Sequence, residues 1–352
     1  MKTMPIYHLR SCVWEITLAC CFSCKYCGSK AGHARDGELS TTECLHVAAQ
    51  LTDLGCKRVA LIGGEIFMRT DWATIAQALT AHGVQVSIVT NGYLFSDQLI
   101  AQIKAANIES VAVSLDGPER IHDKYRQRGS FQRAMAAIDI LTERKIPVSV
   151  ISTLHSQNVA HLNALYETLT QKQIFAWQLQ ACSPMGNAAN ADFSTEFDFT
   201  QVIRFVETRR AQAPFIVGIA DNIGYYTPTE PYLRGSPLGG SPFRGCRAGL
   251  CNIGIDSVGN VRGCESLYDD SFIEGNLRER SLAENWNDPD SFSYNRHFTQ
   301  KLLTGHCATC EFGARCAGGC RSFNFFSNGT LYESPRCARK TLPGHTDQSD
   351  CI

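Results

Sequence analysis

A short apolar run followed by a helical pattern recurs six times within the first 210 residues, and this repeat constrains the fold more than any other feature. Repeated strand-helix units of this length require right-handed crossovers, so they predict a parallel sheet. Curling that sheet toward a barrel buries both faces, but a flat doubly wound sheet has the same local pattern, and both remain open. The predicted strands are Val13–Leu18, Arg58–Ile62, Val84–Val89, Ser110–Leu115, Pro147–Thr153 and Phe175–Gln180.

The composition changes after the repeat, which gives the predicted domain boundaries. Residues 1–212 form the strand-helix domain, and residues 213–245 are rich in proline and glycine, so they predict a connecting segment. Residues 246–345 hold most of the remaining cysteines and predict a smaller second domain, followed by a tail over 346–352. The chain is long enough for a large buried core.

Charge and cysteine distribution narrow the functional classes. The net charge of -1 gives no electrostatic reason to expect a nucleic-acid or membrane-surface partner. The N-terminus lacks the apolar run of a signal peptide and no stretch is long enough to span a bilayer, so we expect a cytoplasmic protein. The 17 cysteines fall in groups with ligand spacing, which favours metal binding over a disulfide framework.

The first cysteine group follows the first strand directly and reads C-x3-C-x2-C, from Cys20 through Cys24 to Cys27. It supplies three thiolates and no evident fourth. Three sulfurs on a tight loop can hold three irons of a cubane cluster and leave the fourth iron open to a ligand from outside the protein. A zinc site short of one ligand, or loop cysteines without a partner, remain alternatives for this run alone.

Unusual residues follow several of the predicted strands. In parallel α/β folds ligands bind at the C-terminal edge of the sheet, where these loops converge. A single glycine pair is as well explained by a plain turn, but the whole set on one edge indicates a ligand site. Cys20 to Cys27 follow strand one; the other segments, in strand order, are Gly63-Gly64-Glu65, Thr90-Asn91-Gly92, Ser114-Leu115-Asp116-Gly117 and Cys182.

A second cysteine group fills the last third of the chain. Its eight members divide into two sets of four, and two structural zinc ions satisfy that arithmetic as well as two iron-sulfur clusters do. These cysteines are Cys246, Cys251, Cys264, Cys307, Cys310, Cys316, Cys320 and Cys337. Two others, Cys44 and Cys56, lie in or beside the first helix and are expected to be small buried hydrophobic residues.

The C-x3-C-x2-C run, with Tyr26 before its last cysteine and Gly-Gly-Glu after the next strand, resembles the radical S-adenosylmethionine (SAM) enzymes. The resemblance implies a partial (β/α)6 barrel and a [4Fe-4S] cluster on Cys20, Cys24 and Cys27, with SAM chelating the free iron. Cys21 would be a bystander. Ile66 stands where the family commonly has proline, which loosens the prediction for that loop and leaves the ammonium site intact.

The same resemblance implies the contacts of SAM. Tyr26 would pack near the adenine, Gly63, Gly64 and Glu65 would meet the methionine ammonium, and Ser114 would lie near the methionine and ribose. Arg126 would reach the carboxylate, although a solvated arginine at a helix start is its alternative. The cofactor-binding set is completed by two residues of the same sheet edge, Asn91 and Asp116.

The C-terminal spacing matches the SPASM extension of radical SAM maturases, which implies two auxiliary [4Fe-4S] clusters and three clusters in all. Cys251 is the least fixed member of the motif, so the first auxiliary cluster is expected to be complete only if Cys251 binds. By this resemblance Cys246, Cys251, Cys264 and Cys320 hold one auxiliary cluster, and Cys307, Cys310, Cys316 and Cys337 hold the other.

The family resemblance implies reductive cleavage of SAM and hydrogen-atom abstraction from a substrate. A peptide is the first hypothesis, modified by crosslinking, oxidation or epimerisation, with a flavodoxin or ferredoxin as electron donor. Only about a dozen residues precede the first strand, so we expect direct peptide recognition or a separate leader-peptide-binding protein. The alternative is radical epimerisation or oxidation of a small molecule such as a sugar, with Cys182 as hydrogen-atom donor or, equally, as a packing residue.

A third class, a non-catalytic iron-sulfur or zinc protein, gives the Gly63-Gly64-Glu65 segment no task.

Overall fold

The computed structural model describes residues 7–191, 193–234 and 242–341. The predicted tail over 346–352 and Cys351 lie outside these ranges, as does part of the predicted connecting segment. Within them the strands form one sheet of ten, in the order β10-β9-β8-β1-β2-β3-β4-β5-β6-β7. The strands are β1 Ser11–Glu15, β2 Arg58–Ile62, β3 Gln85–Thr90, β4 Ser110–Ser114, β5 Val148–Leu154, β6 Ala176–Ala181, β7 Ile216–Ile219, β8 Asn252–Ile255, β9 Asn260–Arg262 and β10 Gly275–Asn276.

Helices connect the parallel strands and bury one face each against the sheet. The first begins at a capping box, in which Ser40 and Glu43 bond each other's backbone N–H groups, and it buries Cys44, Val47 and Leu51. The helices are α1 Thr41–Asp53, α2 Trp72–Thr80, α3 Asp97–Ala105, α4 Glu119–Tyr125, α5 Ser130–Glu143, α6 Leu162–Leu169, α7 Phe199–Arg209, α8 Glu230–Leu233, α9 Leu282–Asn287, α10 Ser293–Arg296, α11 Gly305–Ala308, α12 Gly313–Cys316, α13 Arg321–Asn328 and α14 Ala338–Thr341.

The first seven strands are parallel and consecutive in the sheet, which confirms the predicted parallel α/β architecture. Strands in a flat sheet lie about 4.8 Å apart, so β1 and β7 would be separated by roughly 29 Å. The loops that follow these two strands nevertheless line one cavity of about 410 Å³. The sheet is therefore curled toward a barrel, and the flat alternative is excluded.

The predicted connecting segment over 213–245 is wrong in one respect. It contains the seventh parallel strand, β7, which pairs with β6 in register from Ala176 and Ile216 onward. The short helix α8 lies in the same segment. Helix α4, after β4, was also not predicted, and Arg126 follows its last residue, Tyr125.

The C-terminal segment continues the same sheet. Strand β8 pairs in parallel with β1, with Ser11 opposite Asn252, and the antiparallel strands β9 and β10 extend this edge. The predicted second domain thus contributes three strands to the sheet of the first one. None of the helices in the described ranges combines the length and apolarity needed to cross a bilayer.

Candidate active site

The main cavity, as we call it, opens at the C-terminal edge of the parallel strands. It is lined by loops after β1, β2 and β3, by the ends of β5, β6 and β7, and by two cysteines of the C-terminal segment. This is the edge at which the sequence predicted a ligand site. Its wall therefore joins both groups of cysteines in one space of about 410 Å³.

The first cysteine group enters this cavity with three of its four thiols. Cys20, Cys24 and Cys27 line the wall. The Sγ of Cys20 accepts a bond from the Phe22 N–H at 3.4 Å, and that of Cys27 accepts one from the Ala31 N–H at 3.3 Å. Backbone donors of this kind stabilise thiolate sulfurs. Against them, the Cys21 thiol and burial raise the pKa of Cys20, and burial raises the pKa of Cys24 to about 11.

Cys21 has a different environment, because its Sγ accepts a bond from the Asn91 side-chain amide at 3.5 Å. The same amide lies 4.0 Å from the Sγ of Cys20. Asn91 also lines the main cavity, whereas Cys21 is absent from the described cavity wall. Cys21 thus lies beside Cys20 and shares the Asn91 donor with it, but unlike the three predicted ligands it does not line the main cavity.

The glycines after β2 allow the backbone to approach the loop after β1 closely. A side chain at Gly64 would overlap the carbonyl oxygens of Leu18 and Ala19, and one at Gly63 would come within 2.8 Å of the Thr17 carbonyl oxygen. Only glycine avoids these overlaps at such an approach. Gly64 itself lines the main cavity.

Glu65 is buried beside these glycines. One carboxylate oxygen accepts the Thr90 hydroxyl at 2.8 Å, and the other accepts the Asn91 N–H at 2.8 Å. Burial raises the pKa of Glu65 to about 7, against the hydrogen bonds that lower it. A cation arriving beside this carboxylate would remove that burial penalty, so the residue is suited to receive an ammonium group.

Asp116 connects the loop of the first cysteine group, residues 20–27, which we call the cluster loop, to Arg126 after α4. Its carboxylate accepts bonds from the Tyr26 hydroxyl, the Arg126 Nε and, at 2.7 Å, the Thr153 N–H. Burial acts to raise the pKa of Asp116, but the Arg126 guanidinium outweighs it and the pKa is lowered. Asp116 is thus a buried, ionised carboxylate whose hydrogen bonds hold the side chains of Arg126 and Tyr26 in the cavity wall.

The eight predicted SAM contacts divide into two groups in the structure. Tyr26, Gly64, Asn91 and Arg126 line the main cavity. The other four stand behind its described wall, where Asp116 and Glu65 act on the cavity through hydrogen bonds and Ser114 is buried at the end of β4. This second group comprises Gly63, Glu65, Ser114 and Asp116.

Cys182, at the end of β6, is buried and lines the main cavity together with Cys24 and Cys27. Its thiol lies 3.7 Å from the carbonyl oxygen of Ser183 and packs against Tyr26 and Tyr125. Burial raises the pKa of the Cys182 thiol to about 12. The thiol therefore keeps its hydrogen at neutral pH.

The C-terminal cysteines gather at two places. Cys264 and Cys320 line the main cavity, and Cys246 packs with Cys264 around Ala248. Cys251 lies in the turn before β8, where its carbonyl oxygen accepts the N–H groups of Arg10 and Ser11. The C-terminal cavity, of about 180 Å³, is lined by Cys307, Cys310, Cys316 and Cys337.

Cys20, Cys24 and Cys27 share the main cavity, and the four cysteines of the second predicted auxiliary set share the C-terminal cavity. Cys251 lines neither cavity, and the ligand sets stay predictions. No set of three or more histidine, cysteine, aspartate or glutamate side chains in the described ranges is arranged to hold a single metal ion. The donor atoms are those that iron-sulfur clusters use. Three sulfurs of the first cysteine group line the main cavity beside polar side chains, and four sulfurs line the smaller C-terminal cavity. Cys20, Cys24 and Cys27 would hold the first cluster, and SAM would lie toward Gly64, Asn91 and Arg126.

Several residues that line the main cavity belong to no sequence motif, so the sequence analysis missed them. Gln180 precedes Cys182 on β6, Asn222 bonds the backbone of Ala181 with its carboxamide, and Ser266 and Ser322 come from the C-terminal segment. The polar Gln178 and Gln180 alternate with apolar residues in β6, which was a usable signal that this face meets a ligand. The serines could not be found without the tertiary structure.

Comparison with known protein families gives matches to both parts of the chain. Residues 14–169 match the family model of the Radical SAM superfamily. Residues 246–311 match that of the SPASM iron-sulfur cluster-binding domain. These ranges include the cluster loop, the segments after the first four strands and the first five cysteines of the C-terminal group.

Curated relatives have two kinds of activity in their names. The AdoMet-dependent heme synthase of Methanosarcina barkeri is 26% identical over 347 residues, covering 93% of this chain and 96% of the relative. The mycofactocin maturase MftC of Mycolicibacterium smegmatis is 28% identical over 322 residues, covering 89% of this chain and 78% of the relative. Sequence similarity alone therefore does not choose between these activities.

Among solved structures, the chain is similar to SuiB of Streptococcus suis. SuiB bound to S-adenosylmethionine superposes with a TM-score of 0.75 at 17% identity, covering 93% of this chain and 76% of SuiB. SuiB bound to its precursor peptide SuiA gives a TM-score of 0.73 at 16% identity, covering 96% and 77%. At this level of identity the likeness establishes the fold.

Proposed function

Since the chain belongs to the radical SAM superfamily and carries a SPASM domain, we propose that it takes a hydrogen atom from a peptide substrate and modifies that peptide. The substrate would enter the main cavity between the first cysteine group and the Cys264–Cys320 wall. We further propose a cytoplasmic enzyme with three [4Fe-4S] clusters, reduced by a flavodoxin or ferredoxin. Bound SAM and its cluster would supply the 5′-deoxyadenosyl radical.

The charge of the cavity wall carries the choice of a peptide. Among the described residues that line the main cavity, Arg126 is the only cation and Asp221 the only carboxylate. A tetrapyrrole such as haem bears negatively charged propionates, which proteins bind with arginine and lysine. Because Arg126 is assigned to the carboxylate of SAM, no lining cation is left for propionates.

The neutral part of the wall suits a peptide instead. Gln180, Ser183 and Ser266 offer amide and hydroxyl groups, which match the N–H and C=O groups of a backbone. The likeness in fold to SuiB, which was solved bound to its precursor peptide SuiA, agrees with this choice.

The chain's own residues would orient the reactants. Glu65 would pair with the ammonium of SAM, and Arg126, fixed by Asp116, would hold its carboxylate. Cys246, Cys251, Cys264 and Cys320 would hold one auxiliary cluster, and the four cysteines of the C-terminal cavity would hold the other. Cys264 and Cys320 line the main cavity, so a cluster on this set would border the substrate space and could accept or return an electron.

The test compares substrates at one enzyme. Anaerobically reconstituted protein is mixed with SAM, dithionite and either peptides translated from short reading frames beside its gene or iron coproporphyrin III. We expect one such peptide to stimulate 5′-deoxyadenosine formation and to change in mass or stereochemistry. Turnover of the porphyrin with none of the peptides would refute the proposal.

Epimerisation is a second candidate, because Cys182 places a protonated thiol in the cavity wall. A substrate radical would take the hydrogen atom of Cys182, and an electron with a proton would restore the thiol. In D2O an epimerised product carries solvent deuterium at the inverted carbon, and Cys182→Ala loses that label. Retention of deuterium in Cys182→Ala would remove Cys182 from this role.

A further inference from the structure

The segment after β6, residues 182–190, contacts the cluster loop from the side of the substrate space. We call it the β6 loop. Asn187 donates its side-chain amide to the Cys24 carbonyl oxygen at 2.9 Å. Its backbone N–H donates to the Cys27 carbonyl oxygen, also at 2.9 Å. One residue thus binds the peptide groups of two predicted cluster ligands.

The packing around these hydrogen bonds is tight. Gly186 has φ of +58°, and a side chain there would overlap the carbonyl oxygens of Cys27 and Gly28. The Met185 methyl carbon lies 3.0 Å from where a Gly28 side chain would begin. The β6 loop therefore contacts the 24–28 turn over several atoms, with little room for that turn to shift.

The same loop also forms part of the substrate wall. Cys182, Ser183 and Met185 line the main cavity. On its other side the cluster loop is held through the Tyr26 hydroxyl, which bonds Asp116. The cluster loop is thus held from both sides, and on one of them the residues that hold it belong to the same segment as Cys182, Ser183 and Met185 of the cavity wall.

We propose that Asn187 is a positioning residue, which sets the orientation of the Cys24–Cys27 turn and thereby the affinity of the cluster for SAM. The inference rests on the proposed iron-sulfur site at these cysteines. Hydrogen bonds to the backbone of ligand residues orient those ligands at a metal site. Hydrogen bonds around an iron-sulfur cluster also set its reduction potential. Without the Asn187 side-chain bond, the Cys24 end of the turn would be freer to move. The hydrogen bond within the turn, from the Cys27 N–H to the Cys24 carbonyl oxygen at 3.2 Å, would remain.

The experiment uses the reconstituted holoenzyme with Asn187→Asp, which keeps the side-chain volume and removes the donor. The matched control is Asn190→Ala, on an exposed residue of the same loop. Iron content, thermal unfolding midpoint, SAM dissociation constant and the low-temperature EPR spectrum of the reduced protein are measured for each. Because Asn187→Asp adds a charge, Asn187→Ala is measured in parallel.

Both Asn187 variants are expected to retain wild-type iron, to bind SAM about 5- to 10-fold more weakly, as one lost hydrogen bond implies, and to show an altered SAM-bound EPR signal. Asn190→Ala is expected to match wild type. Wild-type SAM affinity and spectrum in both variants would overturn the proposal, and so would parallel loss of iron and thermal stability. No peptide is present, so failure of the peptide hypothesis would not produce either result.

Discussion

The first cysteine group, in the main cavity, and the four cysteines of the C-terminal cavity differ in number and in what surrounds them. Cys182, Cys264 and Cys320 also line the main cavity. The main cavity places Cys20, Cys24 and Cys27 beside amides, hydroxyls and Arg126, in about 410 Å³. The C-terminal cavity places four cysteines among aromatic side chains such as Tyr226 and Phe312, in about 180 Å³. In the proposed assignment, three sulfurs beside polar groups would leave one iron of a cluster open to a ligand, whereas four sulfurs in the smaller cavity would complete a cluster.

The largest expected effect is on SAM cleavage, which we expect to depend on a cysteine of the main cavity and not on one of the C-terminal cavity. Cys24→Ala is expected to abolish 5′-deoxyadenosine formation, because the cluster that cleaves SAM loses a ligand. Cys316→Ala is expected to keep SAM cleavage and to retain about two thirds of the wild-type iron, because only one cubane is lost. Iron analysis and chromatography of the products measure both. Equal loss of SAM cleavage in the two variants would erase the functional difference between the cavities.

The next effect concerns the backbone beside the SAM site. In Gly64→Ala the added methyl group would overlap the carbonyls of Leu18 and Ala19, so we expect SAM affinity to fall by about 10-fold or more. Gly32→Ala is the matched control, because nothing lies within 4 Å of its added carbon. Isothermal titration of the reconstituted proteins measures the affinities. An unchanged affinity in Gly64→Ala would show that this approach is not needed for SAM.

A smaller, graded effect is expected from pH. Burial raises the pKa of Glu65 to about 7 in the absence of SAM. The ammonium of SAM favours the ionised carboxylate, so affinity is highest above this pKa and falls as pH decreases through it, by at most about tenfold per unit. SAM titrations from pH 6 to 8 test this, with Glu65→Gln expected to bind weakly and without that pH dependence. The same pH dependence in Glu65→Gln would assign it to another group.

The smallest effect comes from a cysteine outside both cavities. Cys44 is fully buried on α1 and its thiol faces the Leu39 carbonyl oxygen at 3.7 Å. Cys44→Ala is expected to lower the free energy of unfolding by about 1 kcal/mol and to leave the iron content unchanged. Denaturant unfolding and iron analysis measure the two quantities. Any loss of iron in this variant would mean that the assignment of ligand and packing cysteines is incomplete.

The six longer parallel strands were predictable because each is an apolar run bounded by turn residues. Strand β7 escaped because it has four residues, Ile216–Ile219, and follows Pro214 in a segment otherwise rich in turns. The pairing of Ser11 with Asn252 joins residues far apart in the sequence, and no local pattern encodes it. Burial confirms the packing prediction for Cys44 and Cys56.

The location of the site was predictable, but the direction of its side chains was not. Residues after parallel strands meet at one edge, so the sheet edge was found from sequence. Which of them face the cavity depends on hydrogen bonds across the fold, such as those that turn Asp116 toward Tyr26 and Arg126. The proposed role of Asn187 has the same origin, since its partner Cys24 lies 163 residues earlier in the chain, on the cluster loop.

The difference between the two cavities is tested most directly by EPR spectroscopy of the reduced holoenzyme during a SAM titration. We predict that the signal removed by Cys24→Ala shifts on addition of SAM, whereas the signal removed by Cys316→Ala does not. A spectrum insensitive to SAM, or a shift that persists in Cys24→Ala, would contradict the assignment of the open iron to the main cavity.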